Sequence, residues 1–262
     1  MTTHWDYTLL GLLLTAGVFV GILFFLELGR RIGRWRAARD PQAPRVEVGA
    51  LDGAVFALLG LLIAFTFSGA ASRWDARRQL VVEEANAIGT AYLRLDLLPP
   101  DAQPALREQL RHYVDARLAA YRRLPDLSAA KAELARAVKL QGEIWAQAVA
   151  ACRSEGSQPA RMLVLPALNA MIDITTTRTV AARTHPPSIV YVMLVVLMLV
   201  SSLLAGHRMA AGKRRSWVHM VGFALTMALA LYVIVDLEFP RLGLIRLDAY
   251  DQLLVDVRES MR

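Results

Sequence analysis

The chain contains very little of what most catalytic sites require. Cys152 is its only cysteine, which excludes an intrachain disulfide, a cysteine-pair metal site and a Cys-x-x-Cys redox motif. The five histidines are scattered and form no His-x-x-x-His pair, and no Gly-x-Ser-x-Gly motif is present. Gly212-Lys213 is followed by Arg214 and lacks the earlier glycine of a phosphate-binding loop. The sequence therefore indicates no enzyme, no metal site and no cofactor.

Charged residues are also almost absent from four long apolar runs, at about 7–26, 49–72, 188–206 and 217–237. Each run is close to the ~20 residues that a helix needs to cross ~30 Å of hydrocarbon. Asp52 is the exception, near one end of the second run. The pattern predicts an all-α integral membrane protein, with four transmembrane helices arranged as two hairpins.

The four runs divide the chain into a first hairpin (1–72), a middle segment (73–187), a second hairpin (188–237) and a tail (238–262). The middle segment has helical periodicity and no convincing strand pattern, so it predicts an extramembrane helical domain. Asp101 and Ser128 are the expected N-caps of two of its helices. Non-helical corners are expected at Pro99-Pro100 and Pro186-Pro187. The tail ends in a short amphipathic helix.

The net charge of +7 comes mainly from arginines beside the apolar runs. Their position favours contact with anionic lipid headgroups over binding of nucleic acid. The loops 28–48 and 207–216 are rich in basic residues, and such short loops stay cytoplasmic. This places the hairpin loops in the cytoplasm and the helical domain outside, across the inner membrane if the cell is bacterial. Arg73, Arg77 and Arg78 favour the opposite orientation.

The second apolar run carries two stripes of residues at helical spacing. One consists of small residues, which in lipid let another backbone approach closely: Gly49, Gly53, Ala57, Gly60, Ala64 and Ser68. The other is bulky and is followed by a basic residue: Phe56, Leu59, Ile63, Phe67 and then Arg73. The first stripe predicts helix packing. The second either contacts lipid and neighbouring helices or lines a pore, where apolar rings gate by dewetting and Arg73 would favour anions.

Polar residues cluster beyond the membrane spans in three places. They are Glu83, Glu84 and Asn86; Asn169, Asp173 and Thr177; and Asp236, Glu238 and Arg241. One interpretation is a set of interhelical hydrogen bonds and ion pairs, in which Arg241 neutralises the neighbouring acids. The other is a hydrophilic vestibule or pore mouth. Spacing alone does not choose between them.

Four stretches resemble the bestrophin-like domain family: Gly60 to Arg78, Glu84 to Pro99, Asp173 to Arg178, and Tyr232 to Asp248. The resemblance covers nearly all of the chain from Gly49 onward. It implies distant kinship with bestrophins, which are pentameric anion channels with four transmembrane segments and a large helical domain between the second and third. That kinship implies a pore lined by the second span. Two departures are the predicted outside location of the middle domain and the lack of an acidic cluster for calcium.

Two functional hypotheses follow. The first is an oligomeric ion channel, selective for anions, with the second transmembrane helix lining the pore. Its partners would be the lipid bilayer, inorganic ions and further copies of the chain, as in a pentamer. The second is a non-conducting membrane scaffold or sensor whose helical domain binds a protein partner.

Overall fold

A computed structural model describes residues 4–39, 49–124, 126–153, 158–210, 212, 215–241 and 243–261. These residues form eight α-helices and one short 3₁₀ helix, and no strand occurs among them. The α-helices are α1 His4–Arg39, α2 Gly49–Arg94, α3 Gln103–Arg122, α4 Leu127–Ala151, α5 Gln158–Arg183, α6 Ser188–Met209, α7 Trp217–Glu238 and α8 Asp248–Ser260. The 3₁₀ helix is Leu95–Leu97. Residues 40–48 of the first predicted hairpin loop, and residues 211, 213 and 214 of the second, lie outside the described residues.

Four helical segments are long and apolar enough to cross a membrane: Leu9–Arg39, Gly49–Leu97, Gln158–Met209 and Trp217–Glu238. The prediction of an all-α membrane protein is confirmed. The third segment combines α5 and α6, which are separated by non-helical residues at 184–187. The chain is also non-helical between Leu98 and Ala102. The corners predicted at the two proline pairs are therefore confirmed.

The chain separates into two compact units. One contains Arg73–Thr184 and Pro240–Arg262, and the other contains Thr8–Ser72 and His185–Phe239. We call them the extramembrane unit and the membrane unit, because the second holds all four predicted spans. Helix α2 contributes residues to both.

In the membrane unit, α1 and α6 approach each other closely through two glycines. A Cβ built on Gly206 would overlap the carbonyl oxygen of Leu26, and one built on Gly29 would overlap the carbonyl oxygen of Leu203. Backbone atoms cannot move aside as a flexible side chain can. Only glycine fits at these two positions, and the close approach is the kind that small residues permit between helices in lipid.

In the extramembrane unit, α3 buries the predicted face, including Leu106, Leu110 and Val114. The predicted cap is wrong, because α3 begins at Gln103 and no side chain caps it. A proline lies in its first turn, where a missing backbone N–H removes no helical hydrogen bond.

Helix α4 differs from the sequence expectation at its N-terminus. Asp126, not Ser128, is the N-cap, and its carboxylate accepts hydrogen bonds from the backbone N–H groups of Ser128 and Ala129, both at 3.0 Å. The face turned inward is made mostly of small residues: Ala130, Ala137, Gln141, Ile144 and Ala148. Small side chains let α4 pack closely on α3, with which it makes its most extensive contacts.

The C-terminal helix α8 packs on α3. Arg258 donates to both carboxylate oxygens of Asp115, at 2.8 and 3.0 Å, and Arg111 donates to the carbonyl oxygen of Met261 at 2.6 Å. Leu254 is fully buried. The tail is therefore part of the extramembrane core.

Candidate functional site

Helix α2 has a face that meets no other part of the chain among the described residues. The small residues Gly53, Ala57, Gly60, Ala64 and Ser68 are all exposed. A Cβ added to Gly53 or Gly60 would have no atom within 4 Å. Gly49, the first residue of the stripe, lies against the side chain of Arg208. The packing role of the stripe stays a prediction.

The bulky stripe of α2 lies toward the interior of the membrane unit. Leu59 is only 3% exposed, whereas Phe67 is 46% exposed. Phe56 and Ile63 are half-buried. Leu59 is therefore packed inside its own chain. The pore-lining role of the stripe and of Arg73 stays a prediction.

The large apolar residues on the outward side of α2 include Leu61 and Phe65, at 51% and 65% exposure, together with Leu51 and Leu58. Leu61 follows Leu59 by two positions, about 200° around a helix with 3.6 residues per turn. The sequence analysis missed Leu61 and Phe65. Periodicity shows which side chains share a face, but burial is needed to show which face points outward.

The most tightly packed polar cluster surrounds Glu84, whose side chain is fully buried. Arg117 of α3 donates to it at 2.7 Å, and Arg178 of α5 donates to its second oxygen. Arg117 also donates to the Tyr121 hydroxyl at 2.5 Å, and that hydroxyl donates to Glu84 at 3.5 Å. We call these four residues the Glu84 cluster.

The charges in the Glu84 cluster compensate one another. Burial alone would raise the pKa of Glu84, but the charges of Arg117 and Arg178 and their hydrogen bonds hold it below its usual value. Burial opposes the charged form of Arg117, yet Tyr121 and Glu84 keep its pKa above the usual range. A buried charge needs such pairing. The cluster therefore joins α2, α3 and α5 through the carboxylate of Glu84, two arginines and the Tyr121 hydroxyl.

The other residues of the first two predicted polar groups do not join Glu84. Glu83 is exposed and accepts from Gln79 at 3.1 Å, and Asn86 is also exposed. Asn169 donates to Asp173 at 2.7 Å, and Thr177 donates to the Asp173 carbonyl oxygen at 3.3 Å, all on the surface of α5. Of the six residues in these groups, only Glu84 forms a buried interhelical network.

The third predicted group has partners that the sequence did not suggest. The carboxylate of Glu238 is fully buried and lies 3.3 Å from Nδ1 of His185, whose ring stacks on Phe239. Arg241 donates to both oxygens of Asp251, at 2.7 and 2.9 Å. Asp236 is buried.

Arginines beyond the second span have structural partners. Arg77 is buried and donates to the carbonyl oxygens of Ala181 and Thr184, at 3.1 and 2.9 Å. These groups belong to the end of α5, where helix carbonyls lack intrahelical donors. Arg78 donates to the Tyr250 hydroxyl at 3.3 Å. Arg73 is half-buried.

A carboxylate near the start of the second predicted span is also paired. Asp52 is 5% exposed, and Arg208 donates to it from the end of α6 at 2.9 Å. Among the described residues, no group of three or more His, Cys, Asp or Glu side chains is arranged to hold a metal ion.

The profile of the Bestrophin-like domain family matches residues 33–249. The chain belongs to this family. A comparison of this bestrophin-like chain with curated proteins gives no match.

Solved structures with the same fold include bacterial bestrophin homologues from Klebsiella pneumoniae. One, carrying an aspartate-to-alanine mutation, is 16% identical with a TM-score of 0.67 and covers 92% of this chain and 98% of its own. Another, solved by Zn-SAD phasing, is 16% identical with a TM-score of 0.62, and the match covers 92% of this chain and 98% of the other. A membrane protein with a proline-to-alanine substitution is 17% identical, with a TM-score of 0.65 and coverage of 93% and 98%. At these identities the likeness concerns the fold alone.

Proposed function

We propose that the chain is the subunit of an oligomeric membrane ion channel that conducts anions, with the outward side of α2 lining the pore. One observation carries the proposal. Helix α2 packs its Leu59 side inside its own subunit and leaves the opposite side, with Leu61 and Phe65, uncovered. In a ring of subunits, a side of α2 that its own subunit leaves uncovered is available to face the axis.

The composition of that uncovered surface supports an assembly. Helix α1 exposes large side chains suited to lipid, including Leu12, Leu13 and Phe24. Helix α2 exposes Gly53, Gly60 and Ala64 along with its bulky residues. Small residues are typical of helix–helix contacts in membranes. The small stripe therefore suits contact with the α2 helix of a neighbouring copy.

Leu61 and Phe65 would then form apolar rings. A narrow apolar ring resists wetting and so resists the passage of ions. Phe67, at 46% exposure, lies at the edge of the same surface. This proposal keeps α2 as the pore helix and places its apolar rings at Leu61 and Phe65, which are not part of the stripe predicted from the sequence.

Preference for anions requires positive charge near the pore. The bestrophin kinship implies anions, and Arg73 is the first charged residue after the span. It is half-buried, so its charge is less screened than that of a fully exposed arginine. Arg73 is therefore the residue proposed to favour anions.

Ion flux in liposomes tests the proposal with the purified full-length protein. Leu61→Ala and Phe65→Ala should raise chloride flux by widening the rings. Leu13→Ala, which truncates an exposed leucine on α1, is the matched control and should leave flux unchanged. Arg73→Gln should lower the chloride-to-potassium preference, whereas Arg123→Gln in the extramembrane unit should not.

One result of the flux assay would contradict the channel proposal. If the wild type and both ring variants pass neither chloride nor cations while the oligomer stays intact, the chain is not a channel. The scaffold or sensor hypothesis would then replace it.

A further inference from the structure

A cavity of about 270 Å³ lies within the extramembrane unit, between the end of α3 and the segment that leads into α8. We infer that this cavity binds a small organic anion that carries a carboxylate or a phosphate group. Arg122, Arg241 and Arg246 line it, together with apolar Leu118 and Val255. Its volume is just below the ~300 Å³ lower end of ordinary ligand pockets.

The charge of the lining favours an anion. Three arginines and one acid, Asp251, line the cavity. Asp251 is already held by both hydrogen bonds from Arg241, so its charge is compensated. Because arginines outnumber acids in the lining, a cation would be repelled. An anion would be attracted to Arg122 and Arg246, which are both exposed.

The cavity wall is also rigid before any ligand arrives. The guanidinium of Arg241 lies over the Tyr121 ring, 4.4 Å from its centroid, and is fixed on its other side by Asp251. Tyr121 belongs to the Glu84 cluster, and the guanidinium of Arg178 lies 4.6 Å from the same ring. Groups that are already in place lose little conformational freedom on binding, which favours affinity.

The residue types narrow the ligand to a particular chemistry. An arginine fork matches the two oxygens of a carboxylate or phosphate, which a lysine ammonium cannot do. Leu118, Leu124 and Val255 provide an apolar wall beside the arginines. A ligand with one anionic group on a short apolar body would contact the arginines and the apolar wall together. This site shares no residue with the proposed pore.

Isothermal titration calorimetry on the purified full-length protein tests the inference. The probes are benzoate and phenyl phosphate, with benzyl alcohol as the uncharged analogue. Wild-type protein should bind at least one of the two anions and should not bind the alcohol. Arg122→Gln and Arg246→Gln should each raise Kd about tenfold, since a hydrogen bond to a charged group is typically worth that much or more.

Arg123→Gln is the matched control, because this exposed arginine neighbours Arg122 but does not line the cavity. It should leave Kd unchanged. Dihexanoyl phosphatidate, added as a soluble lipid, distinguishes a lipid headgroup from a free anion.

Four results would overturn the inference. The first is that neither benzoate nor phenyl phosphate binds at millimolar concentration, and the second is that Kd is the same in the wild type and all three variants. The third is that Arg123→Gln loses as much affinity as Arg122→Gln and Arg246→Gln, and the fourth is that phosphatidate is the only probe that binds.

Discussion

Arg178 on α5 donates a hydrogen bond to Glu84 on α2, across 94 positions of the chain. The two helices meet there at a carboxylate from which water is fully excluded. Arg117 reaches the same carboxylate from α3. One acid thus fixes the relative positions of three helices in the extramembrane unit.

Removal of the charge on Glu84 should destabilise the protein strongly. Glu84→Gln would leave Arg117 and Arg178 buried without their counter-charge, and breaking a buried pair in this way typically costs ~3–5 kcal/mol. Glu83→Gln, next in the chain but exposed, should cost little. Denaturant titration of both variants measures the difference. Similar stability losses in the two would show that the pairing is not important for the fold.

The same carboxylate should make stability depend on pH. Its folded pKa lies below the usual value because of Arg117 and Arg178, so its contribution is complete above ~4.3 and is lost as the pH falls through the folded pKa. The gap in unfolding free energy between the wild type and Glu84→Gln should therefore narrow in acid. A gap that stays constant from pH 7 down to acid would contradict this account.

Gly206 should tolerate no side chain. In Gly206→Ala the new Cβ would overlap the backbone of Leu26, and α1 and α6 would have to separate. Overfilled contacts of this kind typically cost ~1–3 kcal/mol. Gly222→Ala is the control, because its Cβ would meet no atom within 4 Å. The two variants should differ in melting temperature, and equal values would argue against a tight α1–α6 contact.

Gly60 should matter for assembly and not for the fold of one chain. A leucine at this position has open space within the subunit but would fill the proposed contact between subunits. Light scattering in mild detergent should show a smaller oligomer for Gly60→Leu than for Gly222→Leu, which changes an exposed glycine on α7. An unchanged mass would mean that the small stripe of α2 meets lipid.

Orientation in the membrane can be read from single cysteines. Cys152 is buried, and replacing it by alanine gives a background for Gly212→Cys in a hairpin loop and Ser128→Cys in the extramembrane unit. The basic loops predict that an impermeant thiol reagent labels Ser128→Cys from outside intact cells and leaves Gly212→Cys unlabelled. The reverse result would place the helical domain in the cytoplasm.

The sequence by itself determined the class of the protein. Four apolar runs of about the length needed to cross a bilayer have no comparable place in a soluble domain of this size. The two proline pairs marked the corners because proline restricts the residue before it, whatever the surroundings. The buried face of α3 could also be predicted, since its apolar residues are large and follow one helical stripe.

Only the tertiary structure decided which faces meet. On α4 the bulky Val138 is 65% exposed while Ala137 is buried, because the close packing of α3 selects small side chains. On α2 the two stripes were visible in the sequence, but the burial of Leu59 showed which one turns inward. The pairing of Glu84 with Arg117 and Arg178 could not be predicted from the sequence either. Helical periodicity places residues on a common face, whereas the neighbour of that face depends on contacts between residues far apart in the chain.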